Sequence, residues 1–229
     1  MKRLLLASAL AFAIGSPALA DTFQADSFSQ PNGFQDVTIT LGALTETVRV
    51  GEIDLHQNIP AADLLVWCLD LNDILHVPYT FQEHTLGAGQ NLPGLPAGGL
   101  DGGQIRQIAS LMLRGLTLGG TDALQDDAAT QLAIWSAEYG GAVSFAGLSG
   151  ALQNRLTLEL NDSTPGGILD CPTCTLTALT DAINAPNQAL GFAVIPVPGP
   201  MAGAGLPGLL AACLGIWGLN RRRRHNATA

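Results

Sequence analysis

Apolar residues follow two different periods along this chain. Before residue 87 they tend to alternate with polar ones, and from residue 104 to residue 160 they recur every three or four positions. Alternation is the signature of half-buried strands, and the longer period that of amphipathic helices. Residues 37–41 (Val-Thr-Ile-Thr-Leu) predict a strand. Residues 45–53 predict a second, with Val48, Val50 and Ile53 set against Thr47, Arg49 and Glu52. Residues 64–69 form a nearly continuous apolar run that suits a buried strand. Alternation there puts Leu64, Val66 and Cys68 on one face and Leu65, Trp67 and Leu69 on the other. Residues 77–81 predict an edge strand, because Pro78 has no N–H to give to a ladder. Residues 23–30 read as a polar lead-in, and Pro31-Asn32-Gly33 as a turn.

A glycine-rich loop at 87–103 separates this front from a helical middle. Residues 104–114 carry Ile105, Ile108, Ala109 and Met112 at helical spacing. Residues 121–139 carry Leu124, Ala128, Leu132, Trp135 and Tyr139, which predicts one buried face. Thr121 or Asp122 can cap the start of that helix, and Gly140-Gly141 ends it. A weaker helix is predicted at 148–160, a short one at 175–183, and a final strand at 189–197. Strands, then helices, then a strand predict an α+β fold: a β-sandwich-like part with a helical insertion. Gln131 lies at the edge of the apolar stripe of its helix. A polar side chain there must find partners or be used chemically.

Both ends carry targeting patterns. Met1-Lys2-Arg3, an apolar stretch at 4–14 and Ala18-Leu19-Ala20 form a secretory signal peptide over 1–20, with signal peptidase as the implied partner. Residues 201–219 are small and apolar, long enough for one transmembrane helix, and Arg221, Arg222, Arg223 and Arg224 follow at once. Such a cluster stays on the cytoplasmic side, which puts the body, 21–196, outside. Val197-Pro198-Gly199-Pro200, the glycine-rich span and the arginine block resemble the C-terminal sorting tails (PEP-CTERM and VPxP type) of Gram-negative exosortase substrates. Gly199 stands where the best-known form has Glu. The resemblance implies that 197–224 is a sorting segment, with an exosortase-type enzyme as partner, an inner-membrane intermediate during export, and a final place on the cell surface or in the extracellular matrix.

Charge narrows the function further. All nineteen acidic residues fall between these ends, where only Arg49, Arg106, Arg114 and Arg155 are basic, and no lysine follows Lys2. Such a body repels nucleic acid and offers no basic patch to bind it. His56, His76 and His84 accompany Asp54, Asp70 and Asp73 without the spacing of a metal motif, so no metal and no cofactor is expected. No nucleophile elbow or phosphate loop is present. Carboxylates are plentiful enough for a secreted hydrolase, but no pair stands out, so no catalytic residue is assigned and a turnover enzyme is not expected.

Cysteine provides the remaining chemistry. An exported chain meets an oxidising compartment. Cys171 and Cys174 are spaced for a local disulfide, and Cys213 lies in the apolar tail. That leaves Cys68 as an odd thiol, either a small buried hydrophobe or a reactive group. The sharper possibility is an internal thioester: the Cys68 sulfur attacks the Gln131 side-chain carbonyl and expels ammonia. The product is an activated acyl group that survives only where water is excluded, for which Trp67, Ile134 and Trp135 are the candidate surroundings. Trp67-Cys68-Leu69, Ile108 to Leu113 and Thr130-Gln131-Leu132-Ala133-Ile134-Trp135 resemble the three ordered motifs of bacterial surface thioester domains, the tip domains of adhesins. That resemblance implies covalent attachment to an amine or hydroxyl of a surface or matrix. A body without lysine cannot acylate itself through one. The alternative is a surface or matrix protein in which Cys68 is unreactive.

Overall fold

The computed structural model describes residues 22–195, apart from 59, 72, 118–121 and 182–186. The signal segment 1–20, Val197, Pro198, Gly199, Pro200 and Arg221 to Arg224 lie outside the described residues. Among those described, no helix is long and apolar enough to cross a membrane.

The fold is α+β, and its strands make a curled sheet rather than the two face-packed layers of a sandwich. In chain order come β1 (Thr22–Ala25), β2 (Ser27–Ser29), β3 (Gln35–Leu41), β4 (Leu44–Val50), β5 (Ile53–Asn58), β6 (Ala61–Cys68) and β7 (Tyr79–Thr85). Then follow α1 (Gly102–Gly115), α2 (Ala123–Tyr139), β8 (Val143–Ala146), α3 (Gly150–Ser163), β9 (Thr175–Asp181) and β10 (Leu190–Val194). Seven strands form one antiparallel sheet in the order β1-β7-β9-β10-β6-β5-β2. Its two edges belong to one stretch of chain, broken only at Asp26. The Asp26 N–H donates to His56 O at 2.8 Å, and its carboxylate accepts from the Asn58 N–H at 2.7 Å. That bend draws the edges together and gives the sheet a barrel-like curl. β4, β3 and β8 form a separate three-stranded sheet.

Several expectations need correction. The stretch at 23–30 is not a lead-in but the two closing strands. The strand at 45–53 is two strands, turned apart at Gly51, where a Cβ would stand 2.9 Å from Gly33 O. Pro78 precedes β7, which is interior, between β1 and β9. The helix expected at 175–183 is β9, a central strand whose residues Leu176 to Thr180 are all buried. Its threonines and apolar residues fit a strand covered on both faces, and a run that short has no period to tell it from a helix.

The helical insertion sits between β7 and β9, which are neighbours in the sheet. α1 starts in a capping box, Asp101 with Gln104. The Gln104 Nε2 also donates to Ala137 O and Glu138 O, at 3.0 and 2.9 Å, so it satisfies carbonyls at the end of α2. α1 lies on β9 and β10, and its Gly115 faces Trp67 so closely that any Cβ would run into the indole. α2 is enclosed by α1, α3 and the three-stranded sheet. Every residue from Asp127 to Trp135 is therefore buried, not the single face expected from its apolar stripe. Asp122 does not cap α2 with its side chain but pairs with Arg155 at 2.8 Å. Gly140 ends the helix at a φ of 59°, a conformation that favours glycine.

Enclosing α2 also buries acids. Burial, then the charges of Asp127 and Asp54, push the Glu52 carboxyl up to about 7. Burial raises Asp127 too, offset in part by the Asn32 Nδ2–H donated at 2.8 Å. A carboxyl raised in the folded state binds its proton more tightly there than in the unfolded chain. Its contribution to stability is complete below the ordinary carboxylate range and is lost as pH rises through about 7. The protein is therefore expected to be more stable at pH 5 than at pH 8. Glu52→Gln should add about 1–3 kcal/mol at pH 8 and flatten that dependence. Urea unfolding of both proteins at the two pH values checks this, and an unchanged slope in the variant would contradict it.

Candidate functional site

Cys68 is the last residue of β6, and the sheet is incomplete beside it. On one side Leu190 of β10 stands opposite, and the next residue, Leu69, donates its N–H to Ala189 O at 2.8 Å. Hydrogen-bonding direction alternates along a strand, so the Cys68 N–H and C=O face the other way, toward β5. β5 begins only at Ile53, opposite Val66, and supplies nothing at Cys68. The Gln131 side chain of α2 fills that place. The Cys68 N–H donates to Gln131 Oε1 at 2.9 Å, and Gln131 Nε2 donates to Cys68 O at 2.9 Å. The carboxamide thus stands in for a missing strand residue, and both polar atoms of the group on the buried helix find a partner at that backbone.

The structure brings Cys68 and Gln131 together and separates the other residues expected around them. Trp135 joins Cys68 in lining a cleft of about 430 Å³. Trp67 alternates to the opposite face and packs under Gly115, and Ile134 is buried in the core. The cleft opens between β4 (Glu46, Val48, Arg49) and the stretch after β6 (Asp70, Leu71, Asp73, Ile74), with Phe28 and the 74% exposed Ile74 among its lining residues. Cys68, 5% exposed, forms part of its inner wall. Burial first, then the charges of Asp70 and Glu138, push its thiol up to about 12, so at neutral pH it is held as the uncharged thiol. Among the described residues it is the free cysteine, because Cys171 and Cys174 are bonded to each other, Cα to Cα 5.4 Å.

Two acids beside the thiol were not singled out in the sequence for this role. Asp70 and Glu138 are 1% and 2% exposed. Burial, then the charge of Asp70, raises Glu138 well above the usual carboxylate range, and among the described residues neither of its carboxylate oxygens has a hydrogen-bond partner. Tyr139 donates to Leu69 O at 3.4 Å, and Gln188 Nε2 donates to Asp70 O at 3.1 Å, which holds the backbone after Cys68. The signal for Glu138 was its spacing, seven residues after Gln131, which repeats a helix face after two turns.

A separate cluster comes from β-strand register. His56 stands opposite Asp63, its Nδ1 2.8 Å from Asp63 Oδ1 and 3.9 Å from Asp54 Oδ2, with its Nε2 3.1 Å from Ser29 Oγ. The potential ligand atoms of Asp54, His56 and Asp63 lie within 4.8 Å of one another. The hydrogen bond that His56 donates to the Asp63 carboxylate raises the His56 pKa, so the arrangement reads as an ion pair at the sheet surface. His76 and His84 are not in this group.

No family model matches the chain, and no curated protein matches it. Among solved structures, it is similar to a cysteine-to-alanine mutant of the N-terminal thioester domain of a surface protein from Clostridium perfringens. The two are 13% identical, with a TM-score of 0.48 over 63% of this chain and 88% of that one. The N-terminal thioester domain of surface protein from Clostridium perfringens without that substitution gives 13% identity and a TM-score of 0.44, over 69% and 98%.

Removing the Gln131 carboxamide leaves a buried N–H and C=O unpaired. Gln131→Leu should therefore cost about 2–5 kcal/mol, since each orphaned group costs about 1–3 kcal/mol. Urea unfolding measures this; a loss under about 0.5 kcal/mol would mean that the two hydrogen bonds do not support the fold.

Proposed function

We propose that this is an exported cell-surface protein that forms an internal thioester between Cys68 and Gln131 and uses it once, for covalent attachment to a surface or matrix nucleophile. The observation that carries this is the pair of hydrogen bonds between the Gln131 carboxamide and the Cys68 backbone, beside an open cleft. Attack of Sγ on the side-chain carbon of Gln131 puts negative charge on Oε1. That oxygen already accepts the Cys68 N–H at 2.9 Å, the arrangement that stabilises a developing oxyanion. The leaving nitrogen, Nε2, is held by Cys68 O at 2.9 Å. A nucleophile arriving through the cleft would take the acyl group and release the Cys68 thiol. Because each molecule reacts once, it is not an enzyme in the turnover sense.

The same hydrogen bonds also favour a second reading, in which Gln131 only completes the sheet and Cys68 is an inert core thiol in a structural surface protein. Intact mass of the full-length purified protein separates the two. The thioester predicts a mass lower by one ammonia in the wild type, gain of one methylamine on incubation with it, and neither change in Cys68→Ala. An unmodified mass with a titratable Cys68 thiol in the folded protein would sink the first reading.

Surface placement rests on the sequence of 197–224. Deleting 198–224 is expected to release the protein into the medium, seen by fractionation and immunoblotting. Unchanged retention at the cell surface would count against a sorting tail.

A further inference from the structure

A strand at the rim of a sheet has half of its backbone groups unpaired, and the spacing of those groups dictates what can bind them. β4 is such a strand: it is an edge of the three-stranded sheet, beside β3 alone. Their hairpin closes through the two residues Gly42-Ala43, so Leu41 and Leu44 face each other with their backbone groups turned inward. Alternation from there turns Glu46, Val48 and Val50 toward β3. It leaves the N–H and C=O of Thr45, Thr47 and Arg49 pointing outward. The side chains agree with this register. Thr45 meets Thr40 and Thr47 meets Thr38, each Oγ to Oγ at 3.2 Å, the close approach of non-hydrogen-bonded pairs. Among the described residues, no backbone group of β4 is bonded outside its ladder with β3.

Two features distinguish this edge from one that is merely exposed. Folded proteins commonly blunt an edge with proline, lysine or a bulge. β4, Leu-Thr-Glu-Thr-Val-Arg-Val, has neither residue and pairs with β3 without interruption through seven residues. The second feature is position. Glu46, Thr47, Val48 and Arg49, four in succession, line the cleft that Cys68 also lines. One face of a strand would contribute every second residue, so the open edge of β4 borders the cleft. Leu71 and the exposed Ile74 line it from the stretch after β6.

We propose that the open edge of β4 is a docking site for an extended, basic polypeptide segment, which adds as a fourth strand and brings its nucleophilic side chain to the Cys68–Gln131 acyl group. Delivery to the acyl group rests on the thioester reading above; the class of target, a polypeptide rather than a carbohydrate, follows from the edge. Outward N–H and C=O groups repeat along β4 at the spacing of another backbone, and an extended chain meets them in series. Alternate side chains of that segment then reach Leu71 and Ile74. Charge sets the sign of the partner. The cleft is lined by the acidic Glu46, Asp70 and Asp73 against Arg49 alone, whose guanidinium lies 4.2 Å from the centre of the Phe34 ring. With nineteen acids against four arginines in the body, a second copy of this chain would be repelled from the same edge. For a docked lysine, the Nζ–Cδ bond forms as the Sγ–Cδ bond breaks, and the proton lost by the amine ends on the Cys68 sulfur.

Thr47→Pro tests the edge, because it removes an outward N–H and leaves the β3 ladder whole. The probe is a peptide of about seven residues, alternating threonine and valine around one central lysine, with capped ends and a fluorescent label. Binding is read by fluorescence anisotropy on the full-length protein in mild detergent, in a Cys68→Ala background so that no acyl transfer intervenes. Saturable binding is expected, weakened about tenfold or more by Thr47→Pro, by methylation of the peptide's backbone nitrogens, and at low salt by glutamate in place of the lysine. With Cys68 present, intact mass should show the unlabelled peptide attaching about ten times faster than methylamine at equal concentration. Thr47→Pro should remove that preference and leave the methylamine rate as in the wild type. No saturable binding, or binding that survives Thr47→Pro unweakened, overturns the docking site. If Thr47→Pro does not regain the wild-type near-ultraviolet circular dichroism, the backbone-methylated peptide decides on the unaltered edge. Saturable, Thr47-dependent binding in a protein whose wild type reacts with neither peptide nor methylamine sinks the thioester reading and upholds the docking site. A dimer in analytical ultracentrifugation that Thr47→Pro dissociates assigns the edge to a second copy and overturns the proposal.

Discussion

A single carboxamide stands where the sheet runs out of backbone. β5 begins opposite Val66, leaving the N–H and C=O of Cys68 to be paired from elsewhere, and Gln131 reaches them from α2. Unpaired, those groups would cost about as much as a substantial share of a domain's net stability. This contact therefore does more than satisfy a glutamine. It fixes the rotation of α2 against β6, and with it the placement of Trp135 at the cleft and Glu138 near Asp70.

The rest of the core is arranged to allow that contact. α2 is enclosed by two helices and a small sheet, so its polar residues could not simply turn outward. Gly115 lets α1 lie directly on Trp67, which anchors the buried face of β6 opposite Cys68. Gln104 ties the first turn of α1 to the last carbonyls of α2. Each of these holds the helical insertion at the same end of β6.

Charge is the other constraint. The body is strongly acidic, and several of its acids are buried rather than solvated: Glu52, Asp70, Asp127, Glu138 and Glu159. Some are accommodated by partners, as Asp127 is by Asn32. Glu159 lies 3.9 Å from Arg114, whose charge offsets part of the effect of burial. Glu138 has neither arrangement.

Periodicity in the sequence was enough for the strands at 37–41 and 64–69, for the three helices and for the last strand, because each shows a local pattern of burial. It also marked Cys68 and Gln131, the first by its lack of a cysteine partner and the second by its place against an apolar stripe. It misread 175–183, whose central position in the sheet erases the alternation of an exposed strand, and 23–30, whose strands exist only because the sheet curls back to meet them. Sequence alone thus drew attention to Cys68 and Gln131, though not to Glu138. The tertiary structure decided which of them meet: it sent Trp67 to the far face of β6, brought Asp63 across to His56, and put Glu138 with Asp70 and Gln131 with Cys68. Local spacing sets the face of an element, but only packing decides what that face is pressed against.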